Sequence, residues 1–298
     1  MLNPKLHQYV GRLSPTAHYL VTEFVENYEE GQLRRRDLLE RVFGITGSAA
    51  AAAATLLALG VKPLHADPLA DAPFAPPAQV PPQSPLHVPA DDPAVVGTDA
   101  TFTGSDGAPL LAYLARPNAA GRLPAVMIAH ENQGMIEHFE DVARRFAKAG
   151  YVAIAVDLLS RRGGTAAVPE HQRGRLMLDA AQQVRDVQAA MAYLRQQGFV
   201  VADRIGMVGF CLGGGITWNT AIREPTLRAA APYYGNPAFR DDLGRIRAAV
   251  FGAYGETDTN TTNTGVGLEP LLVAAGITHR ITVYPGAPHA FFNDTRPN

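Results

Sequence analysis

The chain has 298 residues, of which 47% are hydrophobic and 18% charged, and its formal net charge is −2. That length supports one large domain or two small ones with a good core, and the near-neutral charge gives no footing for nucleic acid or an acidic membrane as partner. A single cysteine, Cys211, excludes an intramolecular disulfide, so the core must hold the fold.

The N-terminal part differs from the rest. TAHYLVTEFVENYEEG has apolar residues at helical spacing and ends at Gly31, which predicts a short amphipathic helix. RRRDLLERVFGITGSAAAAAATLLALGVKPLHA follows, with Arg35 and Arg36 ahead of a mildly apolar, uncharged run. It resembles a twin-arginine export signal, which would send the protein to the periplasm or outside the cell. Its alanine-rich run is about long enough to span a bilayer, but its Gly, Ser and Thr make a poor anchor. The arginines lie far from Met1, and Leu64 stands where cleavage after Ala66 would prefer a small residue. The competing reading is therefore a retained helical extension on a cytoplasmic protein. Residues 1–62 form this leader. Residues 63–93, dense in Pro and Ala, are expected to be an extended, semi-rigid linker, because proline lacks an N–H and fixes φ. The main domain is expected over 94–298.

From there strands and helices alternate. VGTDATFTGSDGAPLLAYLARP predicts a β-hairpin turning at SDG; PAVMIAH, YVAIAVD, RIGMVGF, LRAAAPYYG, AAVFGAYG and HRITVYPG predict strands. HFEDVARRFAKAG and LDAAQQVRDVQAAMAYLRQQG predict helices ending before Gly150 and Gly198. Continuous apolar strands alternating with helices specify an α/β fold with a mostly parallel central sheet covered on both faces.

Gly209-Phe210-Cys211-Leu212-Gly213 fits the pattern of a nucleophile elbow, a sharp strand-to-helix turn that projects its central side chain above the sheet. The peptide N–H of Leu212 would face a developing oxyanion there, and Asn132, at the end of an earlier strand, would supply a second. A thiol titrating near ~8.5 needs a base, and the base needs an orienting acid. Downstream of Cys211, loops after strands offer Asp258, with Glu256 as second choice for the acid, and His289 for the base. His279 reads as structural, and His138 and His171 as solvated. His130-Glu131 lacks the second histidine of a zinc helix, and the glycine run after Cys211 lacks the Lys-Ser/Thr of a P-loop, so neither a metal nor a cofactor is expected.

The residues HENQG, DLLSRRGGT, GFCLGGG, PYYG, GETD and PHAFF, in this order, resemble the dienelactone hydrolase family of α/β-hydrolases, and the leader resembles that of a bacterial branch of it. The resemblance implies a Cys211–His289–Asp258 triad acting on a small ester or lactone without a cofactor, with Glu131 interacting with the resting thiol. It implies a substrate carboxylate gripped by two arginines. Arg173 or Arg175 would supply one. The other position holds Asn293, with Arg296 a little further on. Asn lacks Arg's charged fork, so dienelactone itself becomes a doubtful substrate. Tyr234 and Phe291 are expected to line the pocket. Such proteins normally continue into a final helix, whereas here the sequence runs only to Asn298. Cover for the sheet would then come from the leader helices or a second subunit, which leaves a homodimer open. Acyl transfer, thioester cleavage and a non-catalytic binding role are the competing functions.

Overall fold

The computed structural model describes residues 10–29, 33–61 and 87–295. They fall in two units, Met1–Pro85 with Asp294–Asn298, and Leu86–Asn293.

The first unit holds α1 (Pro15–Glu29), α2 (Arg35–Thr46) and α3 (Ala49–Ala58). The alanine-rich run does not continue α2. The chain breaks at Gly47 and Ser48, and the Ser48 hydroxyl accepts from Ala51 N at 3.1 Å to cap α3. The two helices are bent by 110°, and no single described helix is long and apolar enough to cross a membrane. Arg36 lies in the first turn of α2 and pairs with Glu40 at 3.0 Å. The greater part of the proline-rich stretch lies outside the described residues.

The second unit is an eight-stranded sheet with helices around it. Its strands are β1 (Val95–Thr103), β2 (Pro109–Pro117), β3 (Leu123–Ala129), β4 (Val152–Val156), β5 (Val200–Phe210), β6 (Ala229–Tyr233), β7 (Ala249–Gly255) and β8 (His279–Tyr284). The spatial order is β1-β2-β4-β3-β5-β6-β7-β8. β1, β2 and β4 pair antiparallel, and every later pairing is parallel. β4, read as VAIAV, is buried at all five positions, as a central strand covered on both faces requires.

The helices are α4 (Glu137–Lys148), α5 (Glu170–Leu176), α6 (Ala180–Arg195), α7 (Leu212–Arg223), α8 (Thr259–Val266) and α9 (Glu269–Ala274). α4 packs on β1 to β4, and α7 packs on β3, β5 and β6. Glu137 and Glu140 in the first turn of α4, with Arg145 and Lys148 in its last, complement the helix dipole. The packed unit reaches back before residue 94. The Asp141 carboxylate on α4 accepts from Val88 N at 2.8 Å and His87 N at 3.2 Å, and Arg144 Nε donates to Val88 O at 2.6 Å. His138 corrects an expectation: it is 2% exposed, its ring edge-on to Phe139 and Phe292. A helical pattern alone did not show that an aromatic residue near the end of the chain returns to cover it. His171 is exposed, and His279 holds Ile277 O at 2.7 Å as the first residue of β8. Among the described residues no helix follows β8.

Candidate active site

The site collects where β3, β5, β6 and β7 end. Cys211 sits between β5 and α7 with φ 57° and ψ −120°, a conformation that L-residues rarely adopt. Packing holds it there. Cys211 N donates to Tyr233 O at 3.1 Å, and Cys211 O accepts from Gly215 N at 3.1 Å. The flanking glycines are sterically required. A Cβ on Gly209 would lie 2.1 Å from Gly213 O, and one on Gly213 would lie 2.2 Å from Ala129 O and 2.6 Å from His130 O. The first turn of α7 is thus pressed against the end of β3. This sets the start of α7 directly against Ala129 and His130. Cys211 is the N-cap of α7, and a helix N-terminus favours negative charge.

His289 lies on the loop after β8, followed by Ala290 at φ 57°. A ring nitrogen of His289 and Cys211 Sγ lie within 4.8 Å of each other. His289 Nδ1 donates to Asp258 Oδ2 at 2.6 Å. Asp258 is the N-cap of α8 and also accepts from Thr261 N at 3.3 Å and from the Thr261 hydroxyl. Burial pushes the Asp258 carboxyl up, but the hydrogen bonds and charge of His289, together with Thr261, outweigh this and hold it below the usual carboxylate range. The other acid on that loop, Glu256, turns to the backbone, accepting from Gly286 N at 2.7 Å.

Glu131 is 0% exposed. Its two oxygens accept from the Tyr234 hydroxyl at 3.3 Å and from Asn293 Nδ2 at 3.0 Å. Tyr234 is itself held at φ 38°, with its N donating to Ala253 O at 2.7 Å, and its ring meets His289 edge-on at 5.0 Å. Phe291 packs on the rings of Tyr234 and Tyr284 at 5.2 and 5.1 Å. Leu212 and Asn132 are buried, at 3% and 4% exposure.

Arg173 and Arg175 are the alternatives for one substrate-binding arginine, and both already make contacts within the protein. Arg173 donates from Nη1 to Gln133 O at 2.7 Å and from Nε to Val168 O at 2.9 Å. Arg175 is exposed on α5 and donates to Gln172 at 3.3 Å. Arg296 lies outside the described residues. Sequence reasoning noticed Asn293 as a missing arginine and did not foresee it as a partner of Glu131. It also missed Thr261, although a threonine three residues after an N-cap aspartate is a recognisable capping arrangement.

Comparison with known proteins decides the family. The sequence profile of the dienelactone hydrolase family matches residues 110–298. The chain belongs to the dienelactone hydrolase family. A Salmonella typhimurium protein with the provisional name carboxymethylenebutenolidase is 35% identical over 240 residues, 75% of this chain and 87% of its own. A Methylorubrum extorquens protein with the same provisional name is 34% identical over 206 residues, 63% of this chain and 69% of its own. The crystal structure of a provisionally assigned dienelactone hydrolase from Klebsiella pneumoniae superposes with a TM-score of 0.61 at 33% identity, covering 68% of this chain and 90% of that one.

Proposed function

We propose that the protein is a cysteine-dependent hydrolase of small carboxylic esters or lactones. What supports this most is the joint placement of three groups: Cys211 on a strained strand–helix turn, its sulfur within 4.8 Å of a His289 ring nitrogen, and His289 Nδ1 bound to Asp258. With Nδ1–H directed at Asp258, the lone pair sits on Nε2, the nitrogen that takes the thiol proton. The thiolate attacks the carbonyl carbon and forms a C–S bond. The N–H groups of Leu212 and Asn132 hold the resulting oxyanion. Collapse breaks the ester C–O bond, and His289 returns the proton to the departing alkoxide. Water, deprotonated by His289, then cleaves the acyl thioester and releases the acid. Glu131 modulates the thiol from its place between Tyr234 and Asn293.

The names of the relatives favour a lactone. Asn293, and an Arg173 tied to backbone carbonyls, favour a substrate whose recognition does not depend on paired guanidinium groups. Export through the Arg35–Arg36 leader belongs to the same proposal, and N-terminal sequencing of the protein from its native host tests it. Hydrolysis of a chromogenic short-chain ester by wild type and Cys211→Ala tests the chemistry. Loss of turnover in the variant is expected, and equal rates would overturn the nucleophile.

A further inference from the structure

His130 has no part in the steps above, yet it is 0% exposed and both of its ring nitrogens are engaged. Nδ1 lies 2.7 Å from Glu131 O, a carbonyl that can only accept, so Nδ1 carries the proton. Nε2 accepts from Leu158 N at 3.0 Å, so it carries the lone pair. Asp157 Oδ1 stands 3.8 Å from Nε2, beyond hydrogen-bond distance. The ring thus bridges the ends of β3 and β4 through Nδ1 and Nε2.

The carbonyl that His130 holds belongs to the same peptide group as the Asn132 N–H. The chain has no cis peptide among the described residues, and in a planar trans peptide the C=O and N–H point in opposite directions. Fixing one therefore aims the other. Gly134 N donates to the same Glu131 carbonyl at 3.1 Å. The next turn of the loop is pinned too: the Thr165 hydroxyl accepts from Met135 N at 2.8 Å while donating to Asp157 at 2.9 Å. Against the other side of this strand end lies Gly213, in the first turn of α7.

We infer that His130 is a positioning residue that aims the Asn132 N–H at the oxyanion by holding the far end of the same peptide. The inference rests on the proposed hydrolysis at Cys211. His130 touches no reacting atom. Its contribution is to remove the peptide's freedom to rotate away as charge develops, which is the preorganisation an oxyanion donor requires.

The test uses His130→Phe and His130→Asn in the full chain, with two readouts. The first is ester hydrolysis, resolved into kcat and KM. The second is the rate of Cys211 alkylation by iodoacetamide, a displacement that forms no oxyanion. In His130→Phe, kcat should fall toward the roughly 10²-fold that one oxyanion donor is worth. KM and the alkylation rate should stay within about threefold, too small a change to register on that scale. His130→Asn, whose amide N–H can reach the Glu131 carbonyl, should recover most of the lost kcat. An unchanged kcat in His130→Phe would overturn the inference. So would a parallel fall of alkylation and hydrolysis in both variants, because that marks a general loss of structure. If alkylating Cys211 leaves wild-type hydrolysis intact, the proposed nucleophile fails first and the role of His130 fails with it.

Discussion

Asn293 reaches back 162 residues to donate from Nδ2 to Glu131 Oε2 at 3.0 Å, closing the last described loop of the hydrolase unit onto the end of β3. Two neutral donors, Asn293 and Tyr234, thus hold a fully buried acid. A buried carboxylate that loses a donor keeps its desolvation cost, so Asn293→Ala should destabilise by about 1–3 kcal/mol in urea denaturation. Tyr234→Phe, which removes the longer bond, should cost about 0.5–1.5 kcal/mol. In a double-mutant cycle with Glu131→Gln, the Asn293 effect should shrink by about 1 kcal/mol or more, because the two residues share one interaction.

Arg173 occupies the position where a substrate clamp was expected, but Gln133 O and Val168 O already hold its Nη1 and Nε. Its role should therefore be to brace the Glu131–Met135 loop. Arg173→Met should lower kcat to a similar degree for a neutral ester and for a carboxylate-bearing lactone. A loss confined to KM for the anionic substrate would instead mark Arg173 as its ligand.

Much of this architecture is legible in the sequence because local physics forces it. GFCLGGG can be read as a strand–helix elbow since a Cβ at Gly209 or Gly213 would meet backbone oxygen. Asp258 and His289 can be located because they follow strands on the expected end of the sheet. The features that escaped are long-range. The burial of His138 depends on Phe292, and the Glu131 site depends on Asn293. Arg173 stood with Arg175 as a substrate ligand only through the family resemblance. Only the fold shows that a backbone carbonyl 40 residues away uses it. The break at Gly47–Ser48 was local, yet the apolar composition of the alanine run masked it.

The Asp258–His289 pair contributes to acid stability. Asp258 titrates below the ordinary aspartate value of about 3.9 in the folded state and near that value when unfolded. As pH falls, the unfolded chain binds this proton first, so the stabilisation is present above about pH 5 and is lost as pH falls through 3.9 toward the folded value. Wild type should therefore lose stability more steeply below about pH 4 than Asp258→Asn does, measured by thermal unfolding across pH. The same variant should lower kcat by roughly 10²–10⁴-fold, since the amide no longer holds the imidazole in its working tautomer.

Gly213 is a close joint between α7 and β3. Adding one methyl group would set carbon 2.2 Å from Ala129 O, a backbone atom that cannot swing aside. Gly213→Ala should destabilise by about 1–3 kcal/mol and lower kcat, because the helix start must move away from the strand end with which it forms the proposed oxyanion site. Gly244, whose added Cβ meets no atom within 4 Å, is the matched control, and Gly244→Ala should be near neutral.

The acyl thioester on Cys211 is the step on which the proposed chemistry turns. Acid-quenching the protein during turnover of a slowly hydrolysed short-chain ester, then measuring the mass of the peptide that carries Cys211, tests it most directly. An added acyl mass on that peptide, removable by hydroxylamine and missing in Cys211→Ala, is the predicted result. Undiminished hydrolysis by Cys211→Ala, with no acyl mass on the wild-type peptide, would contradict it.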